Sequence, residues 1–159
     1  MLQRLEPPPV KLFAGVLLGD GADLPALVAR LEESWGSADD VSDPFPFDCT
    51  DYYADEMGRV IVRRFISFET LRNPAELPRL KIEANQVEEE TLSNGKRTVN
   101  IDVGYMDVHK VVLASTKEGA CKIYVDKGIW ADMTLRYSKG SFHSFPWTFA
   151  DFAQGRYDH

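Results

Sequence analysis

Residues 10–18, VKLFAGVLL, form a nearly unbroken apolar run whose length suits a buried strand rather than a helix. Gly19-Asp20-Gly21 breaks it. Asp23 then stands at an N-cap position, with Pro25 in the first turn. Leu24, Leu27, Val28, Leu31 and Trp35 follow at helical spacing, and Gly36 supplies the stop. Residues 37–58 carry no clear period. They mix acids, aromatics and prolines, and the pattern predicts only a short edge strand over Phe45–Asp48, beside Pro44 and Pro46. A clearer strand follows at Arg59–Phe68. Asn73-Pro74 opens a second helix, in which Leu77, Leu80, Ala84 and Val87 share one face, and Ser93-Asn94-Gly95 ends it.

The rest reads mostly as strand. Arg97–Met106 alternates cleanly. His109–Thr116 fits either strand or helix, and its paired valines favour strand. Lys122–Val125 and Ile129–Tyr137 flank Asp126-Lys127-Gly128 as a hairpin, and Ser141–Phe149 is a final aromatic-rich stretch. The order predicts an α+β fold: a two-layer, mainly antiparallel sheet with two helices, opening in the ferredoxin-like order βαββαβ and continued by C-terminal extra strands. Residues 1–9, with Pro7, Pro8 and Pro9, read as an extended lead-in. Residues 10–152 read as one domain, and 153–159 as a polar, frayed tail.

Composition narrows the function classes. The chain has 159 residues, 44% hydrophobic and 27% charged, which argues against long disorder. Its net charge of -7 repels phosphate backbones, so nucleic acid is not an expected partner. No stretch approaches the ~20 apolar residues of a membrane span, and the N-terminus has no signal-peptide pattern. A cytoplasmic setting is expected. Cys49 and Cys121 lack metal-ligand spacing and read as small buried apolar residues.

Familiar motifs fail on specific residues. Gly19-Asp20-Gly21 has Leu24 where a dinucleotide fingerprint needs its third glycine, and no P-loop lysine follows; a tight turn accounts for it. His109-Lys110-Val111 and His143-Ser144-Phe145 lack the third-position hydroxyl of a two-histidine phosphoesterase. Ser115 and Lys117 do not make S-x-x-K, although on a strand they share a face and could form a small anion site. The acids of residues 39–56 lack EF-hand spacing and read as a solvated loop, though Tyr52 and its aromatic neighbours suggest more. Asn100 and Asp102 share a strand face opposite Val99, Ile101 and Val103. Both are poor strand formers, so their place mid-strand implies compensation.

The stretches PFPFDCTDYYADEMG (44–58), RRFISFE (63–69), RTVNIDVGYMDVHKVVLASTK (97–117), KIYVDKGIWADMTLRY (122–137) and PWTFADF (146–152) are similar, in order, to the bacterial and archaeal family called domain of unknown function 4416. Val103 and Ala150 stand where the family pattern implies prolines. The resemblance supplies little function and leaves the cofactor unknown. It draws attention to polar and aromatic positions within the matching stretches.

The expected function is binding, with turnover left open, of a small anionic or phosphate-bearing ligand. Arg64 and Lys117 would meet the anion, near Asn100 and Ser115. Asp51 or Asp102 would act as a base or hold a metal, although no metal-ligand set is legible. Tyr52 and Trp147 would stack on an aromatic part. The alternative is a non-catalytic interaction module or homodimer, anchored by Phe142, Phe145, Trp147, Phe149 and Phe152.

Overall fold

The first apolar run becomes strand β1, Lys11–Leu18, and its side chains divide between two faces. The computed structural model describes residues 2–159. Helix α1, Leu24–Trp35, follows, capped by Asp23, whose carboxylate accepts from the Ala26 amide at 3.0 Å. Then come β2 (Ala38–Val41), β3 (Phe45–Pro46), α2 (Ala54–Met57) and β4 (Val62–Phe68). A 3-10 turn, Pro74–Glu76, leads into α3 (Leu77–Glu90). The remainder is β5 (Val99–Met106), β6 (Lys110–Ser115), β7 (Ile123–Asp126), β8 (Ile129–Ser138), β9 (Ser141–Ser144) and α4 (Ala150–Ala153).

All nine strands form one sheet, ordered β2-β4-β1-β5-β6-β8-β7, with β3 on β4 and β9 on β8. Every pairing is antiparallel. One face meets the long helices. There Leu12, Ala14, Val16 and Leu18 pack with Leu27, Leu31 and Trp35 of α1 and with Leu80, Ala84 and Val87 of α3. Trp35 is fully buried and donates its indole N–H to Glu83 at 2.8 Å, which satisfies its polar end. The opposite face carries two smaller clusters, Phe13 with Leu113 and Phe152, and Leu17 with Met57 and Ile61. The residue 45–58 loop and the C-terminal segment cover those clusters.

The structure corrects the sequence reading at several points. Among the described residues four α-helices are present rather than two. The additional pair, α2 and α4, span four residues each, too short to display a 3.6-residue period. Strand β2 lies in the stretch that showed no period, and it pairs with β4 through a bulge between Ala38 and Asp40. The C-terminal residues fold back: Tyr157 packs edge-on against Phe45 and Phe65, and Arg156 pairs with Asp48 at 2.7 Å. Neither cysteine is buried. Cys49 is half-buried and Cys121 exposed.

Candidate functional site

The polar residues of the far face meet because one glycine leaves room between them. In register, Gly15 on β1 lies between Phe65 of β4 and Asp102 of β5. The Arg63 side chain crosses β1 over that glycine. A Cβ at Gly15 would sit 3.2 Å from Arg63 Nη1 and 3.0 Å from the Phe65 ring, so a side chain would crowd the crossing. Arg63 donates to the Gly15 carbonyl at 3.1 Å, to Asp102 Oδ2 at 2.8 Å and to Asp151 Oδ2 at 3.3 Å. Tyr157 Oη donates to the same Asp151 oxygen at 2.8 Å. The guanidinium lies over the Phe47 ring at 5.3 Å. Among the described residues its buried Nε has no hydrogen-bond partner.

This network holds its charges firmly. Burial alone would lower the Arg63 pKa, but Asp102 and Asp151 offset that and raise it above its ordinary value. Burial would likewise raise Asp102, yet Arg63, with help from Lys81, holds it below the usual carboxylate range. Asn100 Nδ2 donates to Asp102 Oδ1 at 3.2 Å and accepts at Oδ1 from Arg97 at 3.3 Å. Asp102 is therefore an ionised, multiply bonded carboxylate, with an amide beside it.

A gap in the sheet adjoins this network. Strands β5 and β6 pair over only three positions, Gly104 with Leu113, Tyr105 with Val112 and Met106 with Val111. Gly104 stands at the last of them. A Cβ there would lie 2.3 Å from the Val112 carbonyl oxygen, so the close approach requires glycine. Beyond that point helix α3 supplies the partners that β6 does not. Glu88 Oε1 accepts from the Ile101 amide at 2.6 Å, and Lys81 Nζ donates to the Ile101 carbonyl at 2.9 Å. Both backbone groups of a strand residue are thus met by side chains of a helix. Burial raises the Glu88 pKa, against the pull of Lys81.

The gap holds a cleft of about 330 Å³, walled by Lys81, Asn100, Asp102, Ser115, Lys117, Lys122 and Asp132 among others. A second hollow of about 430 Å³, nearer α4, shares Tyr52, Tyr53, Asp102 and Lys117 with it. At the rim Lys117 Nζ donates to Tyr52 Oη at 3.4 Å and lies 5.2 Å from that ring's centre. Lys122 Nζ donates to Ser115 Oγ at 2.9 Å and to the Lys117 carbonyl at 3.3 Å. Among the described residues neither lysine forms a salt bridge. Arg97, by contrast, is held by Glu56 at 2.8 Å and Glu88 at 3.3 Å. Burial, then the nearby Asp102, pushes the Tyr53 phenol up to about 12, so it stays protonated.

Five of the residues singled out from sequence line this cleft: Tyr52, Asn100, Asp102, Ser115 and Lys117. Three lie outside both hollows. Asp51 is an exposed residue of the turn before α2, where its carbonyl accepts from Ala54. Arg64 shares the helix-side face of β4 with Ile66 and Phe68, and it donates to the Ser42 carbonyl at 2.8 Å. Trp147 stacks on Phe145 at 4.6 Å and donates to the Met133 carbonyl at 3.0 Å. Sequence reasoning missed Arg63, Lys81, Lys122 and Asp132. Asp132 carried a usable signal, an acid in mid-strand, the same signal that marked Asp102. Lys122 carried none, because it stands in the turn before β7 and its partner Ser115 belongs to β6.

Among the described residues no group of three or more histidine, cysteine, aspartate or glutamate side chains is placed to hold a metal ion. No helix is long and apolar enough to cross a membrane. Residues 8–159 match the family described as Domain of unknown function (DUF4416). No curated protein and no solved structure matches the chain.

Proposed function

The chain belongs to the DUF4416 family, and for it we propose a function in binding a small anionic, phosphate-bearing ligand in the cleft between β5 and β6. One observation carries the reading. Lys117 and Lys122 both line the cleft beside Ser115, Lys122 bonded to its hydroxyl and Lys117 reaching Tyr52, and among the described residues neither forms a salt bridge, in a chain whose net charge is -7. Surface lysines of an acidic protein have many carboxylates available. Two left without one in a concavity present a ready anion site. Ser115 adds a hydroxyl, and Tyr52 and Phe149 offer rings against which an organic part can lie.

The same geometry favours binding over turnover. Asp102 is held ionised by Arg63 and already accepts from Asn100, so it has little tendency to take a proton near neutrality. Its role in this reading is to orient Arg63 and Asn100. The βαββαβ portion also supports a ferredoxin-like core, since β2-β4-β1-β5 run antiparallel in that order with α1 and α3 packed on one face. The acidic charge argues against nucleic acid as the partner, and two unbridged cysteines suit a reducing, cytoplasmic setting.

Thermal shift with inorganic phosphate and a panel of phosphate esters tests the proposal. The expected result is a saturable rise in Tm for the wild type. In the double variant Lys117→Ala/Lys122→Ala, affinity for the best ester should fall by about tenfold or more, the scale of losing charge-assisted hydrogen bonds. No stabilisation by any of these anions would remove the reading.

A second reading rests on a different element. Strand β7 ends the sheet, and Ile123, Tyr124 and Val125 are all exposed on it. Antiparallel pairing of two copies about Tyr124 would set Lys122 against Asp126 and Ile123 against Val125, opposite charges and apolar side chains together. Sedimentation at high micromolar concentration decides it. A dimer that Ile123→Lys dissolves supports the pairing, and a monomeric wild type rejects it.

A further inference from the structure

Asp132 is the one cleft carboxylate that the protein leaves without a partner. It is 5% exposed, yet its side chain makes no hydrogen bond and no salt bridge among the described residues. The other acids of the cleft are engaged: Asp102 by Arg63 and Asn100, and Glu88 by the Ile101 amide and Arg97. The Asp132 carboxylate oxygens are not sealed from solvent, so they face the cleft and are open to a hydrogen-bond donor on a ligand. The neighbouring charge is Lys122, whose ammonium is already bonded to Ser115 and the Lys117 carbonyl.

The register fixes how far Asp132 lies from the anion site. Leu113 pairs with Asp132, and Ser115 with Trp130, so Ser115 and Asp132 sit on one face of adjacent strands in diagonal positions. Such diagonal neighbours are roughly 7–8 Å apart at Cα. A molecule that places an anion by Ser115 and Lys122 and reaches Asp132 needs only two or three carbons between its ends.

We propose that Asp132 is a specificity-determining acceptor, and that the ligand is a small phosphate monoester whose organic part carries a hydroxyl or ammonium donor that bonds the Asp132 carboxyl. This deepens the anion-binding reading above and rests on it. The anion would be met by Lys117 and Lys122, and the donor end by Asp132. An ester with a purely alkyl end would leave the carboxyl unpaired, and losing a hydrogen bond to a charged group is the larger penalty in discrimination.

Titration calorimetry with ethyl phosphate, glycerol 3-phosphate and phosphoethanolamine separates the possibilities. The wild type should bind at least one of the two donor-bearing esters about tenfold or more tightly than ethyl phosphate. Asp132→Asn should lose that preference, and Asp132→Ala should lose it as well. Equal wild-type affinity for all three esters, or a preference that survives in both variants, overturns the inference and leaves the anion site standing. Failure of every ester to bind the wild type overturns the anion-binding reading itself.

Discussion

Arg63 and Asp102 illustrate how a buried charge pair sets both stability and its dependence on pH. Arg63 is 3% exposed and faces two carboxylates, Asp102 and Asp151. Replacing it with methionine leaves both acids without their countercharge, and such losses amount to about 3–5 kcal/mol, or roughly 10 °C in Tm. Chemical or thermal unfolding measures this directly. Because Arg63 depresses the Asp102 pKa, the pair's contribution is present above the ordinary carboxylate pKa and fades as pH falls through the depressed value. In Arg63→Met the desolvated carboxyl shifts upward instead, so the gap between wild type and variant should narrow from pH 7 to pH 4. Asp132 is expected to behave oppositely. Burial raises its pKa, so its ionisation penalises the folded state above that value and not below the unfolded one. Asp132→Asn should therefore raise Tm near neutrality, with the gain vanishing as the pH drops below the ordinary carboxylate range. At this scale the sequence was half legible. Period-two alternation placed Asn100 and Asp102 on the far face, and the same alternation in β4 separates Arg63 from Arg64. Parity with Ile66 and Phe68 turns Arg64 toward the helices, and the glycine that admits Arg63 lies 48 residues earlier in the chain.

Among the elements, the short β5–β6 pairing is what makes a cleft. A sheet that continued its ladder past Gly104 would leave no space between Asn100 and Ser115. The three paired positions end where α3 begins to serve Ile101 through Lys81 and Glu88. Gly104→Ala would press a methyl against the Val112 carbonyl, and overpacking of this kind destabilises by about 1–3 kcal/mol. Urea unfolding should show a lower midpoint with an unchanged slope. The long elements were readable because each repeats its pattern several times: the stripe of α1, the alternation of β5, the hairpin of β7 and β8. The elements that close the far face were not. Helices α2 and α4 are single turns, β2 is bulged, and the C-terminal segment is held by Tyr157 and Arg156 through contacts distant in sequence. The sheet gap itself left only one trace, a glycine within an otherwise regular strand.

At the level of the whole molecule, charge distribution separates the two readings of function. The chain carries 25 acidic and 18 basic side chains, so an anion must find a local exception to a repulsive field. Lys117 and Lys122 form one, and affinity for a phosphate ester should weaken with added salt, though less than for fully exposed charges. The aromatic C-terminal run, expected as a second kind of anchor, is divided between roles. Phe152 is buried in the core, Trp147 stacks on Phe145, and Phe149 faces the cleft. The measurement closest to the central claim is a phosphate titration followed by amide 1H–15N correlation spectra of the whole chain. Saturable shifts centred on Ser115, Thr116, Lys117 and Lys122, with smaller ones at Tyr52, are predicted, and they should disappear in Lys117→Ala/Lys122→Ala. Saturable shifts centred elsewhere, or none at all, would contradict an anion site in the β5–β6 cleft.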